Sequence, residues 1–178
     1  MSTAAAPVAL EDFLANPDIH YYDFHELHNG EIVEVSPPSI EHVRIQSRLE
    51  ELFRSIVPAE YTVWREFYYT LPTESRRADV AVVLESRHTE QPPRKAFFGA
   101  PDIIVEVFSE SNTAADLAHL RRVCLAEHTE QFWIVDPFEK VVEIYHRNGD
   151  WKEYRQEATI RFHFAGNDLE MRVAPIFG

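Results

Sequence analysis

Apolar residues follow a short period over several segments of the chain, and these segments are predicted as strands. Runs rich in β-branched and aromatic residues, bounded by turn-forming residues, are typical of buried strands. The strands predicted in this way are Tyr61–Leu71, Ala78–Leu84, Pro101–Ser109, Phe132–Asp136, Val141–Tyr145, Trp151–Arg155 and Leu169–Val173. In the first of them, Trp64, Glu66 and Tyr68 alternate with a second set of residues, which contains Val63, Phe67 and Tyr69.

Two longer segments show the three- and four-residue spacing of amphipathic helices. The first follows Ser39, a suitable N-cap, and its apolar residues are Ile45, Leu49, Leu52, Phe53 and Ile56. The second, Ala114–His128, can be capped by Asn112 or Thr113 and also carries an apolar face. Both helices are expected to pack one face on the predicted strands.

The amino-terminal part is predicted to hold a short helix and a hairpin. The helix covers Leu10–Leu14, and the dipeptide Asn29-Gly30 favours a tight turn into the alternating strand Glu31–Val35. Pro72–Arg77 is predicted as a turn, and the polar stretch Glu85–Lys95 as a surface loop. The central order of helix, three strands, helix and strand predicts a mixed α/β (α+β) fold.

Composition limits the classes of protein that this sequence can form. The chain has 178 residues, 45% of them hydrophobic, which is enough for a single domain with a real core. The net charge of −13 argues against a protein that coats nucleic acid, but it is compatible with an enzyme that binds a cation and contacts a few phosphates.

Cysteine usage and the absence of long apolar runs indicate a cytoplasmic protein. Cys124 is the one cysteine, so we expect a buried thiol in a reducing compartment rather than a disulfide or a nucleophile. No run approaches the ~20 apolar residues of a membrane span, and the first residues lack a secretory signal. Residues 1–9 are expected to be flexible.

Two acidic residues stand inside predicted buried strands. They are Asp79 and Glu106. A buried carboxylate loses hydration worth several kcal/mol unless a partner replaces it, and a divalent metal ion shared by two carboxylates is one such partner. This pair is therefore the candidate active centre. An ion pair with Arg76 or Arg77 is the structural alternative, and the two strands alone leave both possibilities open.

Seven short stretches stand in a specific order and spacing. They are His25–Glu31, Ser36-Pro37, His42, Arg77–Val80, Gly99–Ser109, Asp116-Leu117 and Phe132–Pro137. Together they resemble the Uma2 family of bacterial endonuclease-like proteins, over nearly the whole chain from about Tyr21. The resemblance implies a restriction-endonuclease-like core of the PD-(D/E)XK type, with a central mixed β-sheet flanked by helices and an additional N-terminal β-hairpin.

The resemblance also implies a metal centre. Carried over residue by residue, it makes Asp79 and Glu106 the ligands of Mg²⁺ (or Mn²⁺). The backbone carbonyl of Val107 or Phe108 is expected to supply a further oxygen, and waters complete the shell, as suits a hard cation.

Two further positions are implied to face the same cleft. Glu26 corresponds to a third carboxylate or to a partner of the metal ligands, and His42 to a contact with phosphate or water. The implied reaction is hydrolysis of DNA phosphodiester bonds, and the implied assembly is a homodimer, in which two centres address two strands.

The chain departs from the family pattern at the catalytic lysine. The superfamily places that lysine two residues after the glutamate, where this chain has Phe108. The Uma2 family places it four residues after the aspartate matched by Asp116, where this chain has Leu120. Loss of one preorganised donor costs roughly a hundred- to a thousandfold in rate. Arg121 lies about 100° further around the helix, and a guanidinium cannot act as a base near neutral pH.

Two functions are therefore expected. The first is a metal-dependent endonuclease with weakened catalysis, and the second is an inactive member of the fold that acts as a dimeric binding or interaction module. A zinc hydrolase is disfavoured, because the sequence has no compact pattern of His and Cys ligands.

Overall fold

One large sheet with helices packed against it dominates the structure. The structure is a computed structural model that describes residues 6–16, 25–91, 96–109 and 112–178. Its helices are α1 (Leu10–Ala15), α2 (Ile40–Ile56), α3 (Glu85–Thr89), α4 (Ala114–Glu127) and α5 (Ala174–Phe177). Its strands are β1 (His25–His28), β2 (Glu31–Glu34), β3 (Tyr61–Leu71), β4 (Glu74–Leu84), β5 (Phe97–Phe98), β6 (Ile103–Val107), β7 (Gln131–Asp136), β8 (Val141–His146), β9 (Trp151–Arg155), β10 (Thr159–Phe164) and β11 (Asn167–Arg172).

The sheet is mixed, as predicted. Its 9 strands follow the order β2-β1-β4-β6-β7-β8-β9, with β3 paired to β4 and β5 paired to β3. The pairs β6–β7 and β3–β5 are parallel, whereas the other pairs are antiparallel. The predicted amino-terminal hairpin is β1–β2, which joins the sheet beside β4. The strands β10 and β11 form a separate two-stranded sheet.

Two apolar clusters cover opposite faces of the sheet. The α2 cluster contains Ile45, Leu49 and Phe53 of α2, Val63, Val80, Val82, Ile103, Val105, Val107, Trp133 and Val135 of the sheet, and residues of β8, β10, β11 and α5. The α4 cluster contains Leu120 and Cys124 of α4 with Phe67, Tyr69, Ala78, Ala81, Val83, Ile104 and Phe132. Because side chains alternate along β6, Val105 and Ile104 mark the two faces.

The helix α2 begins at the predicted cap. The Ser39 hydroxyl accepts the N–H of His42 at 3.2 Å, which satisfies one of the free donors of the first turn. Its buried residues are Ile45, Gln46, Leu49 and Phe53. The burial of Gln46 was not predicted, because an isolated glutamine between apolar residues has no periodic signal. Of the two predicted caps of α4, Thr113 is the one that accepts an N–H, from Asp116 at 3.0 Å.

The local predictions are wrong at two places. The segment Glu85–Thr89 forms α3 rather than a loop, and Glu74–Arg77 begins β4 rather than turning the chain. Charged residues there can enter the strand because Arg76 forms an ion pair with Glu74 at 2.7 Å. Residues 92–95 of the predicted loop, residues 1–5 of the predicted flexible start, and residues 17–24 lie outside the described residues.

The carboxyl-terminal part contains elements that the sequence prediction missed. The strand β10 and the short helix α5 supply Ile160, Phe164 and Ile176, all of which are fully buried in the α2 cluster. They extend the α2 cluster beyond the large sheet, and α5 contacts α2.

The cysteine agrees with the expectation from the sequence. Cys124 is buried, and burial raises the pKa of its thiol to about 12, although a hydrogen bond with Tyr69 acts in the opposite direction. A thiol with this pKa is protonated at neutral pH and is a poor nucleophile. Within the described ranges, no helix has the length and apolar character to cross a membrane.

The packing of α2 on the sheet predicts the effect of truncating its apolar face. Leu49 is 0% exposed, so Leu49→Ala is expected to lower the free energy of unfolding by about 2–5 kcal/mol, through lost transfer energy and a residual cavity. Urea denaturation measures the loss. Glu51→Ala, on the exposed face of the same helix, should change it by no more than about 0.5 kcal/mol. Equal losses in the two variants would contradict this packing.

Candidate active site

The strand β4 is paired on one edge by two different strands. Because β3 runs along the other edge from Glu74 to Leu84, β1 and β6 must share the remaining one. There β1 pairs at Ser75, and β6 pairs from Val80 to Val82. Between these pairings no described strand contacts this edge. We call the opening at residues 76–79 the sheet split.

Carboxylates replace backbone acceptors at the sheet split. Glu26 Oε1 accepts the N–H of Arg77 at 3.2 Å, and Asp79 Oδ2 accepts the N–H of Val107 at 2.6 Å. Elsewhere in the sheet a carbonyl of the neighbouring strand would take these hydrogen bonds. The fold thus retains acidic side chains at this opening of the sheet.

Asp79 receives three donors from two elements. Its Oδ1 atom is 2.7 Å from His42 Nε2 and accepts from Gln46 Nε2 at 2.6 Å. Its Oδ2 atom accepts from Val107. His42 lies in the first turn of α2 and Gln46 four residues later, so the two side chains share a face of the helix. The structure therefore places the predicted residues Asp79, His42 and Val107 together.

The pairing with Asp79 changes the proton affinity of His42. Burial lowers the pKa of His42, but the hydrogen bond to Asp79 and the charge of that carboxylate outweigh burial, so the pKa is raised. The more distant charge of Glu66 adds to this increase. The raised pKa widens the pH range over which His42 is protonated, and the protonated ring binds Asp79 as a charged donor.

Glu106 lies next to Asp79 but in a different electrostatic environment. Although part of the residue is solvent-accessible, protein atoms surround its carboxyl group. This burial, and then the charges of Asp79 and Glu26, raise the pKa of Glu106 well above its ordinary value. Arg76 acts in the opposite direction. Among the described residues, no hydrogen-bond donor is found for this carboxylate, so its charge is compensated far less than that of Asp79.

Glu26 is held in an ion-pair network rather than presented freely to the site. Its Oε2 atom is 2.7 Å from His28 Nε2 and 3.8 Å from Arg76 Nη1, and its Oε1 atom binds the Arg77 backbone. Its charge contributes to the raised pKa of Glu106. The structure thus gives Glu26 an electrostatic link to the predicted centre, and its direct partners are two basic side chains and one backbone N–H.

The arginines predicted as alternative partners of Asp79 have other carboxylate partners. Arg77 Nε forms an ion pair with Glu66 at 2.8 Å. Arg76 is only 4% exposed. Its close carboxylate partners are Glu74 at 2.7 Å and Asp116 at 2.9 Å. Because the Arg76 guanidinium neutralises two acids of its own, Asp79 depends on the donors of α2 and β6.

The positions expected for a lysine hold apolar side chains in the structure. Leu120 is buried in the α4 cluster, and Phe108 contacts Phe138 edge-on, with ring centroids 6.3 Å apart. Arg121 does not take their place, because its guanidinium lies 3.7 Å from the centre of the Tyr145 ring. The described residues therefore place no lysine at either family position.

The structure contains a cleft that is separate from the predicted centre. It has a volume of about 460 Å³ and lies between α4 and the strands β7, β8 and β9. Phe108 and Arg121 line it, whereas none of Asp79, Glu106, Glu26 and His42 does. The cleft is thus distinct from the sheet split, and β6 lies between them in the strand order.

Sequence reasoning missed two residues of the site, Gln46 and Glu66. Gln46 is 2% exposed and donates from one Nε2 atom to both Asp79 and Glu66. The four-residue spacing from His42 could have pointed to Gln46, because both lie on one helix face. Glu66 had no comparable signal, since a glutamate in an alternating strand is normally a solvated side chain.

Comparison with known proteins gives a family and a solved structure. A family model described as "Putative restriction endonuclease" and named Uma2 matches residues 10–171. A crystal structure from Anabaena variabilis ATCC 29413, described as a "putative nuclease belonging to DUF820", matches with a TM-score of 0.82 and 24% sequence identity. The match covers 96% of this chain and 98% of that chain. At this identity the likeness establishes the fold, and it confirms the predicted fold class. No curated protein matches.

The raised pKa of Glu106 predicts that replacing this acid by a neutral residue stabilises the protein in a pH-dependent way. A carboxyl group whose pKa is raised on folding lowers the stability of the protein as the pH rises from its unfolded-state pKa, near 4.3, toward its folded-state pKa. The loss in the free energy of unfolding is at most about 1.4 kcal/mol per pH unit. Without added metal, Glu106→Gln should therefore be more stable than the wild type at pH 7–8, and the difference should shrink toward pH 4. Denaturation at several pH values, with a chelator present, measures this difference.

Glu51→Gln is the matched control for this measurement, because Glu51 is exposed on α2 and its neutralisation should change stability little at any pH. A Glu106→Gln variant that is less stable than the wild type at pH 8 would show that the carboxylate has a favourable partner and would contradict the electrostatic account.

The bond between Asp79 and His42 predicts a shift that NMR can measure. In Asp79→Asn the negative charge is lost while His42 stays buried, so the pKa of His42 should fall relative to the wild type. Titration of the imidazole ring protons gives the value. His146, whose pKa is lowered by burial on β8, is the internal control and should not change. An unaltered His42 pKa in the variant would contradict the pairing.

Proposed function

The chain belongs to the Uma2 family, described as "Putative restriction endonuclease", and on this premise we propose that it is a metal-dependent endonuclease that hydrolyses DNA phosphodiester bonds. The observation that carries the proposal is the pair at the sheet split. Asp79 is fixed there by three donors. Burial is the larger cause of the raised pKa of the neighbouring Glu106, and the charge of Asp79 is the second. Perturbed carboxyl pairs of this kind are enriched at functional sites.

The chemistry of the two acids fits a hard divalent cation. An ion bound by Asp79 and Glu106 would offset both the burial and the mutual repulsion that raise the pKa of Glu106. Among the described residues, no group of three His, Cys, Asp or Glu side chains converges as a full ligand set. Two carboxylates with several retained waters are the usual protein share of a Mg²⁺ or Mn²⁺ shell.

Val107 is the proposed source of a further oxygen ligand. In an extended strand the N–H and C=O of one residue face the same edge, and the Val107 N–H binds Asp79. Its neighbour Phe108 instead donates to Val135 on the other side, at 2.8 Å. The carbonyl of Val107 is therefore expected to face the sheet split, beside the two carboxylates.

The side chains of α2 have separate tasks in this proposal. Gln46 and His42 orient the Asp79 carboxylate and keep it ionised, since both donate to it. When protonated, His42 also brings a positive charge, and we assign its Nδ1 atom to contact with a phosphate or a water. Glu26 acts from the neighbouring strand through its charge. The bound ion supplies polarisation of the phosphodiester and a bound water of lowered pKa.

The missing lysine is expected to slow the reaction rather than to remove the site. Leu120 and Phe108 offer no donor for developing negative charge, and one such donor is worth roughly a hundred- to a thousandfold in rate. The substrate is proposed to be DNA, and the assembly a homodimer. With a net charge of −13, binding of phosphates must rely on the ion and a few local donors.

A second function is favoured by the position of Leu120. This side chain is 3% exposed and belongs to the α4 cluster, so the position serves packing in this protein. A non-catalytic member of the fold, acting as a dimeric binding or interaction module, would need no cation there. The two functions differ in whether the sheet split binds a metal ion.

Calorimetric titration of Mn²⁺ separates the two functions without a choice of substrate. The wild type is expected to bind about one ion with micromolar to millimolar affinity, typical of few-carboxylate sites, and Asp79→Ala should lose this binding. Nicking of supercoiled plasmid in Mn²⁺ should disappear in the same variant. Asp168→Ala is the matched control, because this aspartate lies on β11 with a side chain that is 97% exposed.

Unchanged Mn²⁺ affinity in Asp79→Ala would show that the ion binds elsewhere and would remove the assignment of this site. If the wild type binds no Mn²⁺ at millimolar concentration, the endonuclease proposal fails and the non-catalytic module is favoured.

A further inference from the structure

The alternation of side chains inverts in the middle of β4. Before Asp79, Ala78 belongs to the α4 cluster, whereas after it Val80 and Val82 belong to the α2 cluster. Residues separated by two positions normally share one face of a strand. Ala78 and Val80 face opposite sides, so the strand changes its phase at Asp79.

The neighbouring strand β3 inverts at the same level. Val63 belongs to the α2 cluster, whereas Phe67 and Tyr69 belong to the α4 cluster, although all three have the same parity. The register is continuous across the change, because Arg65 pairs with Val80 and Phe67 pairs with Ala78. No residue is inserted, so this is an inversion in both strands at once and not a bulge.

The residue at the inversion of β3 is Glu66, which has a left-handed backbone with φ of +52°. This conformation costs a non-glycine residue roughly 1–2 kcal/mol. The other described non-glycine residues with positive φ are Asn29, Lys140 and Ala165. All of these lie in hairpin turns, where such a conformation is common. Glu66 differs because it lies inside a strand, directly across from Asp79.

The side chain of Glu66 is tied to Asp79 through one amide group. Gln46 Nε2 donates to Glu66 Oε1 and to Asp79 Oδ1, the latter at 2.6 Å. Arg77 holds the second oxygen of Glu66 at 2.8 Å. Because Gln46 is buried, water does not replace these hydrogen bonds, and the two carboxylates stay on the α2 side of the sheet.

The inversion lets two consecutive residues face the same helix. Ala78, before Asp79, belongs to the α4 cluster, so the alternation of the first half of β4 directs Asp79 toward α2. Val80, directly after Asp79, belongs to the α2 cluster as well. Asp79 therefore contacts His42 and Gln46 while the second half of β4 also packs its even-numbered residues on the α2 side.

We propose that Glu66 is the positioning residue of Asp79: the inversion of β3 holds its carboxylate across from Asp79, and through the shared Gln46 amide this carboxylate fixes the Asp79 carboxylate on the α2 side. The effect of Glu66 on metal binding rests on the proposed function, in which Asp79 is a metal ligand. Its effect on the position of Asp79 does not, and can be tested without metal.

Hydrogen exchange at the Val107 amide reads the position of Asp79 directly, since this N–H is bound by Asp79 Oδ2. In Glu66→Gly the left-handed backbone is retained, because glycine adopts it readily, but the link to Gln46 is lost, so exchange at Val107 should be at least tenfold faster. In Glu66→Gln the side-chain oxygen still accepts from Gln46, so exchange should stay within about threefold of the wild type. Phe108, whose amide binds Val135, is the internal reference.

Lys140→Gly is the matched control for glycine at a left-handed position. Lys140 has φ of +53° and is exposed between β7 and β8, so the variant should leave exchange at Val107 unchanged. Mn²⁺ titration of the same variants adds the functional readout. Affinity should fall at least tenfold in Glu66→Gly and stay within threefold in Glu66→Gln.

The outcomes separate this inference from the proposed function. Unchanged exchange at Val107 in Glu66→Gly overturns the inference, whatever the metal affinity. Equal effects of Glu66→Gly and Glu66→Gln also overturn it, because Glu66 would then act by its charge or as a ligand. Faster exchange in Glu66→Gly, in a protein whose wild type binds no Mn²⁺, supports the positioning of Asp79 and overturns the proposed function alone.

Discussion

The carboxylate of Asp79 is the interaction on which the geometry of the site depends. It replaces a carbonyl as acceptor for Val107 and at the same time binds His42 and Gln46 of α2. One side chain therefore joins a strand, its neighbour and a helix. An ionised acceptor makes these hydrogen bonds stronger than neutral ones, and only such a set of donors compensates for removing the charge from water. Glu106 lies beside Asp79 without comparable donors, so burial and the charge of Asp79 raise the pKa of Glu106.

Most of the fold could be predicted from the sequence, because its main elements bury apolar residues at regular spacing. The strand β6 and the helix α2 are found where their patterns place them. The prediction failed at the start of β4, where Glu74 and Arg76 enter a strand that local polarity assigns to a turn. Arg76 pairs with Glu74 and with Asp116 of α4, and Glu74 also contacts His119 of α4. A partner 40 residues away leaves no trace in the local pattern.

The residues of the site likewise divide into those with a local sequence signal and those without one. An acid inside an apolar run is a local signal, and it led to Asp79 and Glu106. For Gln46 the only local signal is its four-residue spacing from His42, because its burial depends on the tertiary contact with Asp79. Glu66 depends on a backbone angle that glutamate adopts rarely, so no local pattern could indicate it. The resemblance to the family supplied His42 and Val107, which the structure places against Asp79, and it supplied Glu26, whose direct partners are two basic side chains and one backbone N–H.

The continuous register across the inversion of β3 and β4 has a consequence for protein engineering. The two halves of this hairpin obey opposite rules, since even-numbered positions of β4 face α4 before Asp79 and α2 after it. A library that assigns polar and apolar residues by simple parity would place half of its substitutions on the wrong side of the sheet. Grafting the hairpin into another scaffold would likewise require both faces to be supplied, each covering only one half of its length.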